Sequence, residues 1–298
     1  MRHTISVIGG ANIDISADLT ANFVHADSIP GQVSLGYGGV ARNIAHNLSL
    51  LGNDVQFISV FGDDVFGDLC FDYCRLIPLD LSMSERISGS RNGLYLCIND
   101  QSGDMVAAVA DTAIIQHITP DFLRGRIDRI SESAAVVADA NLSASALSYL
   151  FRSCEAPLFV DAVSTNKAMR IMEALEHSLS PRNLTLKLNQ AEALAITNCT
   201  AVDNAAAVLL KMGVQHVFVT LGSDGVMCCD AARSERVPAI TTQVINTTGA
   251  GDAFLAGVVH AFVNGLGSNE SAGFGLRTAH ATLQTHQAVN PEISKLSF

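Results

Sequence analysis

The stretch NTTGAGDAFLAGV, residues 246–258, joins a glycine-rich turn to the start of an apolar helix. Its glycines leave the backbone open to close approach by a ligand, and the amides of Gly249, Ala250 and Gly251 can converge on an oxyanion. Asp252 follows directly, where its charge would repel a bound phosphate unless it acted as a base in phosphoryl transfer. Taken alone, this acid is more typical of a helix N-cap, so its role depends on the rest of the chain.

On either side of that loop, short apolar runs rich in β-branched residues alternate with helical patterns. The runs lie at 5–10, 55–62, 134–140, 157–163, 184–189 and 216–222, and the helical patterns at 38–52, 190–196 and 202–213. This alternation predicts an α/β fold with a doubly wound, mostly parallel sheet flanked by helices on both faces. In such sheets ligands bind outside the carboxyl ends of the strands, and the polar residues that end these runs would cluster there.

Two segments, 15–37 and 86–110, lack the helix that a parallel crossover needs. The second contains two alternating stretches joined by a turn around Asp100–Gly103, which is typical of a hairpin. We therefore expect a small antiparallel β lid that belongs to a single domain spanning residues 1–298. The sequence contains no internal repeats, low-complexity tracts or linkers that would suggest a second domain.

Composition limits the class of function. Apolar residues make up 48% of the 298 positions and charged residues 16%, which indicates a folded chain with a substantial core. The formal net charge of −11 argues against nucleic acid or an anionic membrane as a partner, so an anionic ligand would need a local site. The seven cysteines include no C-x-x-C pair, and no apolar run is long enough to span a bilayer. These features predict a cytoplasmic protein.

Two further motifs lie near the N-terminus. Asn12 and Asp14 follow the first strand, where they either hold neighbouring hydroxyl groups of a sugar or form an ordinary turn. The turn GYGGVARN offers bare backbone to a ligand at Gly38–Gly39, with Asn43 facing it from the first helical turn. The alternative for these glycines is close packing of strand against helix.

Two more motifs occur in the second half of the chain. In KLNQAEA, Asn189 and Glu192 lie three residues apart at a strand-to-helix junction, where they suit either water-mediated binding of Mg²⁺ or a capping box. TLGSDG ends a strand at Gly222 and turns at Asp224–Gly225, so it either flanks a nucleotide or forms a hairpin. Each motif alone leaves its structural alternative open.

The order and spacing of GGVARN, KLNQAE, TLGSDG and NTTGAGDAFLAG together resemble the ribokinase-like, or PfkB, family of sugar and nucleoside kinases. The resemblance covers essentially the whole chain and implies a ribokinase-like α/β domain with a β-sheet lid. Within the family, SIPGQVSLGYGGVARNIAHNLSLLG, VADANLS, FVDAVSTNKA and VINTTGAGDAFLAG are most similar to bacterial pseudouridine kinases. The implied reaction transfers a phosphoryl group from ATP to the 5′-hydroxyl of pseudouridine. A ribokinase, another nucleoside kinase and a catalytically silent nucleoside-binding module are the alternatives.

The resemblance also implies a role for individual residues. Asp252 matches the catalytic base, and the amides of Gly249, Ala250 and Gly251 match the anion hole for the transferring phosphoryl group. The positions that match substrate-binding residues are Asn12, Asp14, Gly38, Gly39, Asn43, Asp111, Asn141 and Lys167. The positions that match nucleotide-binding residues are Asn189, Thr220, Gly222, Gly225 and Thr248, and those near Mg²⁺ are Asn189 and Glu192.

One residue departs from the family pattern. Many members begin the last motif with aspartate, near a monovalent cation site, whereas this chain has Asn246 and one negative charge fewer. The sequence therefore leaves a requirement for K⁺ open, while ATP and Mg²⁺ are the expected cofactors. The family also implies a homodimer formed through the lid and a small-molecule nucleoside as substrate.

Overall fold

Strands and helices alternate along most of the chain in a computed structural model, which describes residues 3–178, 181 and 183–298. The strands are β1 (Thr4–Ile8), β2 (Asn12–Leu19), β3 (Gly31–Gly38), β4 (Asp54–Ile58), β5 (Val60–Gly62), β6 (Leu79–Asp80), β7 (Glu85–Ile87), β8 (Gly93–Asn99), β9 (Met105–Asp111), β10 (Ala135–Asp139), β11 (Leu158–Asp161), β12 (Leu184–Asn189), β13 (His216–Thr220), β14 (Val226–Cys229) and β15 (Ser234–Val237). The α-helices are α1 (Val40–Leu50), α2 (Val65–Leu76), α3 (Pro120–Arg124), α4 (Ile127–Ser131), α5 (Ala144–Ser153), α6 (Thr165–Glu176), α7 (Gln190–Thr197), α8 (Val202–Lys211), α9 (Ala250–Val263) and α10 (Ser268–Leu283).

The main sheet has nine strands in the order β15-β14-β13-β12-β11-β10-β1-β4-β6. Strands β13 to β6 in this order pair in parallel, whereas β14 pairs antiparallel with both β13 and β15. The chain first adds β4 and β6 on one side of β1 and later adds β10 and its successors on the other side. The sheet is therefore doubly wound, and the predicted α/β fold class is confirmed.

The central strands are buried on both faces, because alternate side chains enter two separate hydrophobic clusters. On one face Val137 packs in a cluster with Phe254 of α9. On the other face Val136 packs in a cluster with Leu147 of α5 and Ile171 of α6. Burial on both faces explains why these strands form continuous apolar runs in the sequence.

A second sheet, which we call the lid sheet, contains β3, β2, β8 and β9 in that order. It begins at Asn12, earlier than the predicted segment 15–37, and its second hairpin begins at Gly93. The predicted start near residue 86 falls instead in β7, which pairs with β5 in a separate two-stranded sheet. Both hairpins are antiparallel, but β2 and β8 pair in parallel, because they are the first strands of their hairpins and run in the same direction.

The predicted strand at 55–62 is divided in two. β4 ends at Ile58, and β5 begins at Val60 outside the main sheet. At the break the Ser59 amide donates to the Ser84 hydroxyl at 2.9 Å, so its hydrogen bond goes to a loop side chain and not to a neighbouring strand. The sequence does not reveal this break, because residues 55–62 form one largely apolar run. The Ser59 amide is paired with Ser84, which is distant in the chain.

The lid sheet has one polar and one apolar face. On the polar face Asp14 lies in register with Gly36 of β3 and Tyr95 of β8, and Asn12 shares this face because side chains alternate along a strand. The opposite face carries Ile15, Ala17, Val33, Leu35, Leu96, Ile98 and Val109. The lid sheet therefore combines hydrogen-bonding groups on one side with an apolar surface on the other.

Two properties expected from composition can be compared with the structure. All seven cysteines are free thiols, and the buried ones are Cys70, Cys74, Cys154, Cys228 and Cys229. Within the described residues, no single helix is both long and apolar enough to cross a membrane, although α7 and α8 together, bent by 58° at their junction, meet that test of length and composition.

Candidate active site

Polar side chains gather at the carboxyl ends of the parallel strands. Strands β10, β11 and β12 end at Asp139, Asp161 and Asn189. Helix α1 is tied to this edge, because the amide of Ala41 donates to the Asp139 carboxylate at 3.1 Å. Since parallel strands present their carboxyl ends at one edge of the sheet, the loops that follow them share one site.

Asp252 is not the N-cap of its helix. Helix α9 begins at Ala250, and its N-cap is Gly249, so Asp252 occupies the third helical position. The Asp252 side chain is buried, with the residue only 8% exposed, and its Oδ2 accepts a hydrogen bond from Asn43 Nδ2 at 2.7 Å. The cap alternative is therefore wrong, and the carboxylate is free to serve another purpose.

The electrostatic surroundings of Asp252 suit a base. The pKa of its carboxyl is raised from 3.8 to about 7, mainly by burial and secondly by the nearby negative charge of Asp161. The hydrogen bond from Asn43 and the positive charges of Lys187 and Arg42 act in the opposite direction. A carboxyl group with a pKa near neutrality combines substantial basicity with a large ionised fraction, as general-base catalysis requires.

The N-terminus of α9 has no side-chain cap among the described residues. Gly249 adopts a φ of +80°, and a Cβ there would overlap the carbonyl oxygen of Ala288, so the turn requires glycine. The amide of Ala250, one of the three predicted anion-hole donors, makes a long 3.3 Å bond to the carbonyl of Thr247. The amides and the positive end of the helix dipole give this terminus an affinity for anions.

Asn12 and Asp14 lie at the start of β2 against the predicted glycines. A Cβ at Gly38 would overlap the Asp14 carboxylate, and a Cβ at Gly93 would overlap the Asn12 side-chain oxygen. Gly39 has a φ of +97° and leaves no room for a Cβ beside the carbonyl of Gly10. The glycines thus allow the side chains of Asn12 and Asp14 to lie directly against backbone. Close packing, the structural alternative for the predicted glycines, therefore occurs next to the polar face of the lid sheet.

The Asn43 side chain, which contacts Asp252, has unused hydrogen-bonding capacity. Asn43 donates to Asp252 through its amide nitrogen, but its buried Oδ1 has no partner within the described part of the chain. Burial raises the pKa of Asp14 to about 6, and the charge of Arg42 acts against this rise. A free acceptor beside a buried carboxylate is the arrangement that a hydroxyl-bearing ligand would complete.

Sequence analysis assigned no site role to Arg42, which is almost fully buried. Its Nε donates to the carbonyl of Gly38 at 3.2 Å, and its Nη2 donates to the carbonyl of Tyr37. The guanidinium also lies over the Tyr73 ring, 5.6 Å from its centroid, and Tyr73 stacks on Tyr37 at 3.7 Å. Arg42 therefore fastens the end of the lid sheet to α1. The available signal was the arginine directly before Asn43 in the motif GGVARN.

Lys187 and Asp161 also escaped the sequence analysis. They form an ion pair of 2.9 Å between Nζ and Oδ2, and their side chains are only 9% and 2% exposed. A Cβ added to Gly251 would lie 2.7 Å from the Lys187 Nζ, so the ammonium lies directly against the glycine loop. The available signals were a lysine inside the apolar run LTLKLN and an aspartate that ends PLFVD.

Three of the predicted substrate-binding residues, Asp111, Asn141 and Lys167, fall into two groups. Lys167 Nζ donates to the side-chain oxygen of Asn141. The backbone amide of Asn141 donates in turn to the Asp139 carboxylate at 2.8 Å. Asn141 and Lys167 are thus brought together at the site edge of the sheet. Asp111 ends β9 in the lid sheet and forms an ion pair with Arg91 at 3.4 Å.

A cavity of 470 Å³ opens beside the N-terminus of α9. Its lining includes Thr220, Gly222, Gly225, Thr247, Ala250, Gly251, Phe254, Leu276, Ala279, His280 and Leu283. The TLGSDG segment forms a 3₁₀ turn between the antiparallel strands β13 and β14, so it is both a hairpin and a wall of this cavity. The cavity combines apolar walls, threonine hydroxyls and the glycine loop, which suits a planar base with an attached phosphate chain.

The loop before α9 places Thr247, and not the predicted Thr248, in the cavity wall. The amide of Thr248 donates to the Asn246 side-chain oxygen at 2.9 Å, while Asn246 Nδ2 donates to the carbonyl of His286 at 3.1 Å. An aspartate at this position would have no donor for the second bond. Asn246 therefore closes the loop in a way that the acidic residue of many relatives cannot reproduce.

Asn189 and Glu192 form a complete capping box at the start of α7. The Asn189 side chain accepts from the Glu192 amide at 2.9 Å, and both Glu192 oxygens accept from Asn189, each at 2.8 Å. Within the described ranges, no three His, Cys, Asp or Glu side chains form a group that could hold a metal ion. The structural alternative for this motif is thus confirmed, and a metal held here would have to be bound through water and ligand phosphates.

Comparisons with known proteins identify the family. Residues 2–295 match the pfkB family carbohydrate kinases. The chain is 34% identical over 292 residues to an uncharacterized sugar kinase of Escherichia coli K12, YeiI, covering 97% of this chain and 80% of that protein. It is 32% identical over 294 residues to the pseudouridine kinase of the same organism, covering 97% of this chain and 93% of that protein.

A solved structure shows the same fold. The Arabidopsis thaliana ribokinase, complexed with ribose and ATP, superposes with a TM-score of 0.84 at 20% identity and covers 100% of both chains. This chain belongs to the pfkB family of carbohydrate kinases. The predicted family, its ribokinase-like fold and the general class of kinase are therefore confirmed.

We predict that Gly249→Ala destabilises the protein more than Gly265→Ala does. Both glycines have a positive φ, +80° and +85°, but a Cβ at Gly265 meets nothing within 4 Å, whereas one at Gly249 meets the Ala288 backbone. The control should therefore lose only the cost of a left-handed alanine, about 1 kcal/mol, and Gly249→Ala should lose clearly more. Urea unfolding measures both free energies. Equal losses would show that the loop relaxes away from Ala288.

Proposed function

We propose that this protein is a nucleoside kinase that uses ATP and Mg²⁺ to phosphorylate the 5′-hydroxyl of pseudouridine. The observation that carries the proposal is the position of the buried Asp252 carboxylate. It accepts a hydrogen bond from Asn43, and Asp252 directly follows Ala250 and Gly251, which line the cavity. Identity of 32% with the E. coli pseudouridine kinase over nearly the whole chain supports pseudouridine as the acceptor. The intact base and glycine loop argue against a silent binding module.

On the acceptor side, the chain's own residues would hold the ribose. Asn12 and Asp14 on the polar lid face would bind ribose hydroxyls, and the unpaired Oδ1 of Asn43 would accept from a hydroxyl next to Asp252. Gly38–Gly39 would let the sugar lie against backbone. Asp252 would take the proton of the 5′-hydroxyl as that oxygen attacks the γ-phosphorus and the bond from the γ-phosphorus to its bridging oxygen breaks, so that the proton ends on the carboxylate and ADP leaves.

On the donor side, the 470 Å³ cavity fits the base of a nucleotide, and the uncapped terminus of α9 fits its phosphates. The amides of Gly249, Ala250 and Gly251 would stabilise the charge on the transferring phosphoryl group. Mg²⁺ would neutralise part of the negative charge of the donor phosphates, and Asn189 and Glu192 would bind it through water molecules. The lid sheet would cover the acceptor and exclude water, which would otherwise hydrolyse ATP.

The substrate proposal is tested by measuring ADP release with pseudouridine, uridine, cytidine, adenosine and ribose as acceptors. We predict the highest kcat/KM for pseudouridine. A higher value for ribose would make the protein a sugar kinase, the class that its 34% identity with an uncharacterized sugar kinase also supports. If no acceptor stimulates ADP release while pseudouridine still binds, the silent nucleoside-binding module would replace the kinase proposal.

The role of Asp252 is tested by Asp252→Asn, in which an amide replaces the carboxylate without a change in shape. We predict a loss in kcat of roughly 100-fold or more with little change in nucleoside affinity, because the amide cannot accept the proton. In the wild type, kcat/KM should fall about tenfold per pH unit below about pH 7, since the raised pKa of Asp252 leaves the base protonated there.

The matched control for this substitution is Asp72→Asn, which removes an exposed carboxylate from α2. It should leave both kcat and the pH profile unchanged. If Asp252→Asn retained turnover near that of the control, Asp252 would be a structural partner of Asn43 and not the base.

We also propose that the protein is a homodimer joined through the lid sheet. The apolar face of this sheet leaves Val33 73% exposed, with Leu35, Leu96 and Val109 also exposed. A contiguous apolar patch on a sheet is costly in water, and a second copy can cover it with the same residues. The polar face would remain turned to the ligand, so dimerisation and substrate binding would use opposite faces of one sheet.

Val33→Glu tests this arrangement, because an unpaired carboxylate in the buried interface is unfavourable. We predict that the wild type sediments as a dimer and that Val33→Glu raises the dimer Kd at least about tenfold, corresponding to about 1.4 kcal/mol. Leu76→Glu is the control, since Leu76 is 84% exposed on α2, outside the lid sheet. A monomeric wild type, or an equal effect of the two substitutions, would contradict the proposal.

A further inference from the structure

We infer that Lys187, held in place by Asp161, is a positioning residue that fixes a positive charge against the glycine loop and beside Asp252, and so keeps Asp252 available as a base. No role was assigned to either member of this pair by the sequence motifs. The inference rests on the proposed kinase function for its catalytic meaning, but its structural content can be measured in the resting protein.

The pair is built into the register of the sheet. Asp161 and Lys187 are direct neighbours on the parallel strands β11 and β12. Side chains alternate along a strand, so Asp161 shares the face of Phe159, which packs in a cluster with Phe254 of α9. Both charged side chains therefore point under the helix that begins at the glycine loop, and the 2.9 Å contact joins them there.

Contact with the loop is equally close. The Lys187 Nζ lies 2.7 Å and its Cε 3.6 Å from the place where a Gly251 Cβ would stand. Gly251 also lines the 470 Å³ cavity, so the ammonium lies against a residue of the cavity wall. An ammonium has three donors, and one of them is used by Asp161. Its charge is thus available to the loop and to the neighbouring carboxylate.

Asp161 is fixed by two hydrogen bonds. Its Oδ2 accepts from Lys187, and its Oδ1 accepts from the Val163 amide at 2.7 Å. Val163 has a φ of +66°, which is unfavourable for a β-branched residue. The chain therefore accepts backbone strain at the residue that orients this carboxylate. Strain of this kind is found where a particular geometry is required.

Stability alone does not explain the pair. Burying two charges costs much of what their attraction returns, and replacement by apolar residues often leaves a protein equally stable. The groups that influence Asp252 electrostatically are Arg42 from α1, Asp161 from β11 and Lys187 from β12, while Asn43 contributes a neutral donor. Asp161 raises the pKa of Asp252 and Lys187 lowers it, so the two members of the pair act on this pKa in opposite directions.

The test compares Lys187→Met, Asp161→Asn and the double variant. The pKa of the Asp252 carboxyl is followed by ¹³C NMR in the absence of substrates, with Asp252→Asn to assign the signal. We expect Lys187→Met to raise this pKa by about one pH unit or more, because the favourable charge is lost. Asp161→Asn should lower it, because an unfavourable charge is lost, and the double variant should lie between the two.

Opposite shifts support the inference, because a purely structural cross-strand pair would not produce them. If the pKa stayed constant, or moved in the same direction in both single variants, the inference would be overturned. Should Lys187→Met fail to fold because it leaves Asp161 charged and unpaired, the question is still decided by comparing Asp161→Asn, which keeps the Lys187 ammonium, with the double variant, which removes both charges. The single variant must then titrate below the double variant.

Activity supplies the catalytic readout. At pH 7 we expect Lys187→Met to lose about fivefold or more in kcat with nucleoside affinity unchanged, because a rise of one unit in the pKa lowers the ionised fraction of Asp252 about fivefold there, and to recover most of this loss at pH 9, where Asp252 is again ionised. An equal loss at both pH values would contradict a role through Asp252. A wild type without kinase activity would defeat the proposed function and leave the NMR result standing, so the two failures are distinguishable.

Discussion

The hydrogen bond from Asn43 to Asp252 joins two helix N-termini that are 209 positions apart in the chain. Both helices lie on the same face of the main sheet, and both begin at the carboxyl edge of its strands. In the proposed kinase, the acceptor side of the site would be attached to α1 through the Gly38–Gly39 turn, and the donor side to α9. This one bond therefore sets the distance between the two halves of the site, and burial of Asp252 ensures that the bond is not lost to water.

The sequence was informative where a local pattern has one structural outcome. Buried parallel strands appear as continuous apolar runs, and glycines in tight turns appear at fixed offsets before helices, so the doubly wound sheet and the positions of the motifs could be predicted. The same local logic left Asp252 closer to a cap than to a base. Only the positive φ at Gly249 shows why the helix begins earlier and leaves the acid inside its first turn.

Features that depend on pairing between distant segments could not be predicted. Lys187 contacts Asp161 because of the register of two strands. A lysine inside an apolar run does not indicate in the sequence which residue it will pair with. The break at Ser59 depends on Ser84, and the parallel contact of β2 with β8 depends on how two hairpins approach each other. For Asn189 and Glu192 the sequence allowed either a capping box or water-mediated binding of Mg²⁺. The structure contains the capping box, and the motif still lies at the carboxyl edge of the sheet.

The charge distribution explains how an acidic chain can bind an anionic donor. Lys187 is committed to Asp161, and Arg42 is committed to backbone carbonyls, so neither cation extends freely into the cavity. The attraction for phosphate must then come mainly from backbone amides and the dipole of α9, with a metal ion carried by the phosphates themselves. Such a site would bind anions while the two cations that influence Asp252, Lys187 and Arg42, stay held by other groups. A mobile cation there would hold the carboxylate as an ion pair and reduce its basicity, so fixed cations at a defined distance serve a base better than flexible ones.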